Sequence, residues 1–401
     1  MIDVLTNGLL SVPYATALSL NYCSHDCSYC YANVNNPFRK ADVNGIMSQL
    51  KNYKHRENDL VSYYLREKYP VLISSNVDPF AKSNYRLFEQ ISDFLLSEEI
   101  PMFIATRGGY GWKEFAERSP KQVWFVSVPY SDDNIREKLE PNAPSLDERF
   151  EMVKALKHLG HEVIIGITPL EEKWTPYPLE IVRKYESIGV TTFKVSGLHL
   201  SPKQQINLSA KKRDVITEDI LTRLKTGGKV NTDWTDFSIL EISEYCEENE
   251  LILDGIELGL PTAKDIHFIE TYDKLLPTKH DFFLWCYANK KQGDFIYFKD
   301  FFDFFAPKLP QIETNISKFL FNKAVLSDKS SYKKAPLTDL LHYLWEVKGV
   351  NIGLADLPVF SWAKQRTANK TDFVYDGEHN KVLIYHPEVF NLKDYTIFAR
   401  A

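Results

Sequence analysis

Short β-rich runs alternate with longer amphipathic runs between residues 15 and 200, and this alternation limits the fold more than any other feature of the 401-residue chain. A parallel sheet needs such long crossovers between its strands. The sequence therefore predicts repeated β/α units, with the C-terminal ends of all strands at one edge of the sheet. The predicted strands are ATALSLNY (15–22), VLISS (71–75), MFIATR (102–107), VWFVSV (123–128), EVIIGITP (162–169) and TTFKVS (191–196).

Local signals mark one crossover helix and a change of pattern further along. In SLDERFEMVKALKHLG, Ser145 and Glu148 form a predicted capping box and Gly160 ends the helix. Residues 205–300 read as helices around a lone strand near LILDGIEL, and residues 301–330 as an aromatic helical segment. The end of the chain predicts a helix and a hairpin turning from Asp376 to Asn380, as in a small winged-helix-like module over about 317–401.

Charge and composition limit the classes of function. The formal net charge of -6 gives no general attraction to nucleic acid, so a nucleic-acid surface would have to be a local basic patch. The N-terminus carries no basic segment followed by an apolar one, and no run is long enough to span a membrane. We expect a cytoplasmic protein without a membrane partner. An odd number of cysteines, 5, does not fit a secreted disulfide framework.

Three cysteines cluster in NYCSHDCSYCYAN, directly after the first predicted strand. Cys23, Cys27 and Cys30 can each bind one iron of a [4Fe-4S] cube, which leaves the fourth iron open to another chelating group. The alternative is a structural zinc site, which needs a fourth ligand such as His25 or one of the two distant cysteines. Spacing alone favours the cluster but leaves both hypotheses open.

The C-x3-C-x2-C pattern, with the aromatic Tyr29 before the third cysteine, resembles the radical S-adenosylmethionine (SAM) superfamily. The resemblance implies that Cys23, Cys27 and Cys30 hold a [4Fe-4S] cluster and that Tyr29 lies at the cofactor. It also implies that SAM binds the open iron and is cleaved to a 5′-deoxyadenosyl radical, which abstracts hydrogen from a substrate. An electron donor of the flavodoxin or ferredoxin type would reduce the cluster.

Further motifs are similar to the spore photoproduct lyase family: SSNVDPF, ATRGG, FVSVPY, KLEPNAPSLDERFEMVKAL, VIIGITPLEEKW and FKVSGLHLSP, over residues 15–205. The resemblance implies a partial (β/α)6 barrel of TIM type over residues 1–205. A mostly helical region, residues 206–401, would then cover the mouth of the barrel and select the substrate.

The resemblance also assigns residues to SAM. Arg107, where the family usually has lysine, would hold the SAM carboxylate, which suits a guanidinium; the alternative is a surface arginine. Ser127 would contact the ribose, or be an ordinary strand serine. Asp78 would lie at the methionine part of SAM, or serve as a turn or cap residue. Ile167 would pack on adenine, or belong to the core.

The remaining candidates concern the pocket wall and the substrate. Glu140 and Arg149 of the LEP motif and its following helix would shape the SAM pocket, and we expect them to form an ion pair. His199 matches a histidine of the lyases and is a candidate substrate contact. Ser75 occupies the position of the lyase cysteine that returns hydrogen to the product radical. A serine O–H bond is too strong for that step, which argues against spore photoproduct lyase activity. Tyr31 lies at the predicted mouth as a radical relay or stacking residue, unless it packs in the core.

Three functions remain open. The first is radical SAM chemistry on a nucleotide or nucleic acid, favoured by a basic stripe around Lys364, Arg366 and Lys370. The second is the same chemistry on a peptide or small metabolite, favoured by the acidic net charge. The third is a non-catalytic metal-binding scaffold, which leaves the LEP and ATR motifs without a purpose.

Overall fold

The computed structural model describes residues 2–4, 13–35, 37–73, 77–211, 233–254, 271–314, 335–346, 359–366 and 371–386. Its centre is an eight-stranded sheet whose strands follow sequence order. The first two strands pair antiparallel, and every later strand runs parallel to its predecessor. The strands are β1 (Ile2–Val4), β2 (Thr16–Leu18), β3 (Val71–Ile73), β4 (Met102–Thr106), β5 (Val123–Ser127), β6 (Glu162–Leu170), β7 (Thr192–Gly197) and β8 (Ile252–Asp254).

Helices occupy the crossovers between the parallel strands, which makes this an α/β fold of the partial TIM-barrel type. Because the pairing runs linearly from β1 to β8 in the part of the chain that is described, the sheet is an open one. The helices up to β8 are α1 (Tyr31–Asn35), α2 (Val43–Asn52), α3 (Leu60–Arg66), α4 (Tyr85–Ser97), α5 (Trp112–Arg118), α6 (Asp133–Leu139), α7 (Leu146–His158), α8 (Pro178–Glu186), α9 (Pro202–Lys211) and α10 (Asp233–Glu248). A 3₁₀ helix covers Tyr53–His55.

The remaining elements form small sheets against aromatic helices. These elements are α11 (Lys279–Asn289), β9 (Phe295–Ile296), α12 (Phe298–Phe305), a 3₁₀ helix (Ala306–Lys308), β10 (Glu313–Thr314), β11 (Ala335–Pro336), α13 (Leu337–Glu346), β12 (Phe360–Trp362), β13 (Lys364–Arg366), β14 (Thr371–Phe373) and β15 (Leu383–Tyr385). Two short strand pairs, β10 with β11 and β13 with β14, accompany a three-stranded sheet in the order β12, β15, β9.

The two faces of the central strands have different partners. Side chains alternate along a strand, so Ile104 and Trp124 point to the layer of helices in the main core. Phe103 and Ile164 point the other way, into a small inner cluster that also contains Tyr272. The Tyr272 hydroxyl accepts a hydrogen bond from the Val123 N–H at 2.9 Å and donates to the Met102 carbonyl. This cluster fills the barrel at the N-terminal ends of its strands.

The six predicted strands are confirmed, and the structure adds to them. The strand predicted near residues 251–258 does not stand alone: β8 pairs parallel with β7 and extends the sheet. The short β1 carried no recognised signal, because three residues are too few for a period to show. The capping box at Ser145 and Glu148 is confirmed at the start of α7, and Gly160 follows the helix with φ +83°.

Predictions for the second half of the chain are confirmed in part. The turn from Asp376 to Asn380 is present, with the N–H of Asp376 donating to the Asn380 carbonyl at 2.9 Å. The division at residue 205 and the winged-helix-like module stay predictions, and residues 315–334 and 347–358 lie outside the described residues. Among the described helices, none combines the length and apolar character that a bilayer span requires.

Candidate active site

A cavity of about 540 Å³ opens at the C-terminal ends of the strands. Its volume is in the range of small-molecule sites. The inner cluster packs inside the barrel towards the opposite ends of the strands. Six successive parallel strands supply its wall, either at their ends or in the loops that follow: Cys23, Cys27 and Cys30 after β2, Val77 and Asp78 after β3, Thr106 and Arg107 at β4, Phe125 and Ser127 on β5, Thr168 and Pro169 on β6, and Ser196 and Gly197 on β7.

All three clustered cysteines line this cavity. Cys23 and Cys27 are buried, and Cys30 is partly exposed. The loop is tight because Asp26 adopts a left-handed conformation with φ +54° and the Cys30 N–H donates to the Cys27 carbonyl at 3.1 Å. Asn33 joins its two ends: its side chain accepts from the Cys23 N–H and donates to the Cys23 carbonyl, while its own N–H donates to the Cys30 sulfur at 3.4 Å.

The donor set fits an iron–sulfur cluster better than one zinc ion. Three thiolates suffice for a cube, which binds each at a different iron, whereas a structural zinc needs a fourth ligand. The proposed fourth zinc ligands are occupied elsewhere: both nitrogens of His25 contact carbonyl oxygens at 3.1 Å, and Cys246 and Cys286 are buried in the core.

Burial raises the pKa of the Cys23 thiol to about 12, and it also raises the pKa of the Cys27 thiol. Without metal the two thiols are therefore protonated at neutral pH. A metal that binds here has to displace those protons.

A buried carboxylate, Glu140, joins the cysteine loop to the predicted SAM residues. It is fully buried and accepts from Arg107 Nε at 2.7 Å, from Arg149 Nη2 at 2.5 Å and from the Tyr29 hydroxyl. Burial by itself raises a carboxyl pKa, but the two guanidinium groups outweigh it and lower the pKa of Glu140 to about 2. The predicted Glu140–Arg149 ion pair is confirmed, and Arg107 is a second partner that the sequence did not indicate.

Glu140 is shared by two guanidinium groups, and one of them, that of Arg107, reaches the cavity. The Arg107 side chain is 23% exposed and lines the cavity, and its Nη2 donates to the Tyr29 hydroxyl at 2.9 Å. An arginine has five N–H donors, and the contacts with Glu140 and Tyr29 use Nε and Nη2 once each. Among the described residues, Arg107 therefore keeps donors for an anionic ligand. This geometry can bind a carboxylate.

Asp78 serves mainly as a junction between loops. Its carboxylate accepts from the Phe80 N–H at 3.0 Å, the Thr106 hydroxyl at 2.8 Å and the Arg107 N–H at 2.6 Å, and it lies 3.4 Å from His25 Nε2. The turn role considered for Asp78 is therefore present. Burial opposes ionisation, but His25 and these hydrogen bonds outweigh it and lower the pKa of Asp78. Asp78 also lines the cavity, and its contact with a cofactor stays a prediction.

Three of the other four candidates line the cavity, and the fourth lies outside the described residues. Ser127 lines the cavity, and its hydroxyl donates to the Thr168 carbonyl at 3.3 Å. Tyr31, which is 50% exposed, and the exposed His199 lie on the same wall. Ser75 lies outside the described residues. The roles predicted for these residues stay predictions.

Ile167 is not on the cavity wall. It is fully buried in the main core, which was the alternative considered for it, and the next two residues, Thr168 and Pro169, line the cavity instead. The register between β6 and β7 shifts between Ile167 and Leu170, where β6 carries one extra residue. Ile167 precedes this bulge and lies on the same face of β6 as Ile165, because side chains alternate along a strand, and that face packs into the main core. The bulge changes the direction of the side chains that follow it, so Thr168 and Pro169 both line the cavity. The core position considered as the alternative for Ile167 is therefore the one that the structure shows.

Several wall residues were missed. Asn33 follows the cysteines in the quoted motif, but nothing in the sequence showed that its amide returns to Cys23. Phe125 lies on a predicted strand, and its face could not be assigned without the register. Gln204 carries no sequence signal: it is a neutral side chain on α9, and its Nε2 donates to the Tyr29 carbonyl across 175 residues of sequence.

Sequence comparison gives little beyond these residues. No family model matches the chain. An uncharacterized protein, ORF301 of Acidianus two-tailed virus, is 24% identical over 178 residues, which cover 41% of this chain and 59% of ORF301. The chain thus matches less than two thirds of the length of this relative.

Among solved structures, Streptococcus suis SuiB bound to S-adenosylmethionine is similar at 14% identity, with a TM-score of 0.38 over 59% of this chain and 48% of SuiB. SuiB bound to its precursor peptide SuiA gives 15% identity and a TM-score of 0.39 over 62% and 49% of the two chains. Spore photoproduct lyase with dinucleoside spore photoproduct gives 15% identity and a TM-score of 0.42 over 59% and 74%. The chain thus spans about half of SuiB. Residue roles are argued below from this chain alone.

The variant Glu140→Gln tests the buried network. It leaves Arg107 and Arg149 without their carboxylate, and removing one partner of a buried ion pair costs about 3 to 5 kcal/mol. We expect the free energy of unfolding, measured by urea denaturation of the metal-free protein, to fall by that amount. The matched control is Glu151→Gln at an exposed position, with an expected change below about 0.5 kcal/mol. Equal effects of the two variants would contradict the network.

The same carboxylate predicts a pH dependence. The unfolded chain takes up a proton at Glu140 near the ordinary pKa of 4.5, whereas the folded protein does so near 2. The stabilising contribution is therefore complete above pH 4.5 and is lost as the pH falls towards 2. It amounts to on the order of 3 kcal/mol. Unfolding curves of the wild type and Glu140→Gln should converge over this interval, and a constant difference would refute the assignment.

Proposed function

We propose that this chain is a radical SAM enzyme in which Cys23, Cys27 and Cys30 hold one [4Fe-4S] cluster. The observation that carries the proposal is that three thiols of one loop face a cavity at the C-terminal ends of parallel strands, beside a cationic arginine. When bound, the reduced cluster and SAM would supply a 5′-deoxyadenosyl radical able to abstract hydrogen from a substrate. The family resemblance of the motifs supports the same assignment.

The residues of this chain would hold and enclose SAM. Arg107 would bind its carboxylate, with Glu140 and Tyr29 keeping the guanidinium in place. Ser127, Asp78 and the Thr168–Pro169 segment would form the wall along the rest of the molecule. Glu140 and Arg149 are fully buried, so their positions would keep the orientation of the Arg107 guanidinium constant while ligands enter and leave.

We propose a nucleotide or nucleic acid as the substrate class. Lys364 and Arg366 are exposed on β13, and the Lys364 ammonium lies 5.6 Å from the centre of the Phe373 ring, a mixture of cationic and aromatic groups that suits nucleic acid. Lys370 lies outside the described residues. His199 and Tyr31 would contact the substrate at the mouth. A peptide or small metabolite is the alternative, favoured by the net charge of -6.

An electron carrier of the flavodoxin or ferredoxin type would be the reducing partner, and dithionite can replace it in the assay. A metal-binding scaffold without catalysis is the other alternative. It predicts metal binding with no cleavage of SAM.

The variant Cys30→Ala tests the cluster and the chemistry together. We expect the wild type, reconstituted anaerobically with iron and sulfide, to convert SAM to 5′-deoxyadenosine and methionine after addition of dithionite. Cys30→Ala should lose at least about 100-fold of this activity, because one iron loses its only protein ligand. Product analysis by chromatography and iron determination measure both.

The matched control is Cys246→Ala, which removes a thiol buried in the main core, outside the cysteine loop. This variant should still assemble the cluster at Cys23, Cys27 and Cys30. If Cys30→Ala retains a full cluster, the ligand assignment is wrong. If the wild type binds zinc and produces no 5′-deoxyadenosine, the scaffold alternative is correct. Once cleavage is established, oligonucleotides, nucleosides and peptides can be compared for the increase in 5′-deoxyadenosine that each produces.

The variant Arg107→Ala tests the carboxylate site. A charge-assisted hydrogen bond contributes about 1.5 to 3 kcal/mol, so the Kd of SAM for the reconstituted protein should rise about 10-fold or more. Lys113→Ala, at an exposed position on α5, is the control and should leave the Kd unchanged. Calorimetric titration measures both, and an unchanged Kd in Arg107→Ala would remove Arg107 from the site.

A further inference from the structure

We propose that helix α9 positions the cysteine loop through two side-chain amides, Gln204 and Asn207, and thereby sets the properties of the metal group that the loop holds. Both residues act through the backbone of the loop, so they are positioning residues. The part that concerns the cluster rests on the proposed function, whereas the part that concerns the loop stands on the contacts alone.

The two amides bind adjacent carbonyl groups between Cys27 and Cys30. Gln204 Nε2 donates to the Tyr29 carbonyl at 2.7 Å, and Asn207 Nδ2 donates to the Ser28 carbonyl at 2.6 Å. Residues three positions apart on a helix lie on the same face, so one face of α9 serves both carbonyls. The helix also packs against α1, which directly follows Cys30.

Gln204 is held in its rotamer from the other side. Its Oε1 accepts from the Ser201 N–H at 2.9 Å, at the start of α9, and the residue is 7% exposed. The amide therefore cannot turn to donate elsewhere without losing both hydrogen bonds. A fixed amide transmits the position of α9 to the loop.

The loop depends on these donors because its own hydrogen bonds use other groups. The Cys30 N–H donates to the Cys27 carbonyl, and the Ser28 N–H donates to the Leu139 carbonyl at 2.8 Å. A buried carbonyl that loses its donor is costly. The carbonyls of Ser28 and Tyr29 would lose theirs if α9 moved away.

The two hydrogen bonds from Gln204 and Asn207 to the cysteine loop, here called the clamp, lie next to the predicted substrate side of the cavity. The helix follows β7 and the His199 segment, which is the predicted substrate side of the cavity, and Gln204 itself lines that cavity. One helix thus touches both the substrate side and the loop with the thiols. Reduction potentials of iron–sulfur clusters depend on the hydrogen bonds and solvent exposure around the sulfurs, so the geometry imposed by α9 would tune the cluster.

Hydrogen exchange of the metal-free protein tests the clamp without any cofactor. We expect Gln204→Ala and Asn207→Ala each to speed exchange of the amides of residues 27–30 by roughly fivefold, because each removes one buried hydrogen bond. The control is Ile206→Ala on the same helix, at a side chain that is 70% exposed. It should leave exchange of the loop unchanged.

The reduction potential of the reconstituted cluster, followed by its spectrum during redox titration, is the second readout. The potential should shift in Gln204→Ala and Asn207→Ala and stay constant in Ile206→Ala. Loop exchange unchanged in both clamp variants, or raised equally in the control, overturns the proposal. A wild type that assembles no cluster defeats the proposed function alone, since exchange in the metal-free protein still decides the clamp.

Discussion

The carboxylate of Glu140 lies where three parts of the chain have to meet for the cavity to form. Arg107 comes from the loop after β4, Arg149 from α7 and Tyr29 from the cysteine loop, and all three bind the same two oxygens. A carboxylate buried without partners would be costly, and so would the buried Arg149 guanidinium without the carboxylate. The three segments therefore stabilise one another, and the position of Arg107 beside the thiols follows from this arrangement.

Packing explains why the cavity lined by the cysteines lies at the C-terminal ends of the strands. Large inward side chains such as Phe103 and Tyr272 fill the end where the strands begin. At the other end the loops contain glycines that let backbones approach closely: a Cβ on Gly109, which has φ +140°, would lie 2.2 Å from the Phe80 carbonyl oxygen. The ATRGG loop can therefore lie against the loop after β3, next to Asp78. The cavity beside the cysteine loop thus lies at the end of the barrel that the inner cluster does not fill.

Side-chain amides hold the cysteine loop in place. Asn33 joins the two ends of the loop, and α9 holds its middle. Side-chain amides suit this task because they donate and accept hydrogen bonds without carrying a charge. They therefore add no net charge beside the group that the thiols hold. The loop is thus held by the fold at its two ends and on the side of α9.

Sequence alone determined the class of fold and the identity of the clustered thiols. The signals were local: periodic apolar runs, capping residues such as Ser145 and the spacing of the cysteines. Local patterns can be recognised in the sequence without knowing the fold. The Glu140–Arg149 pair was also predictable, because its members are nine residues apart at a helix start. Only the tertiary structure brought Arg107 to Glu140 and Gln204 to Tyr29. Only the facing of β6 decided that Ile167 lies in the core, and only the bulge after it brought Pro169 to the cavity. These outcomes depend on strand register and on contacts between distant segments, which no single stretch of sequence encodes.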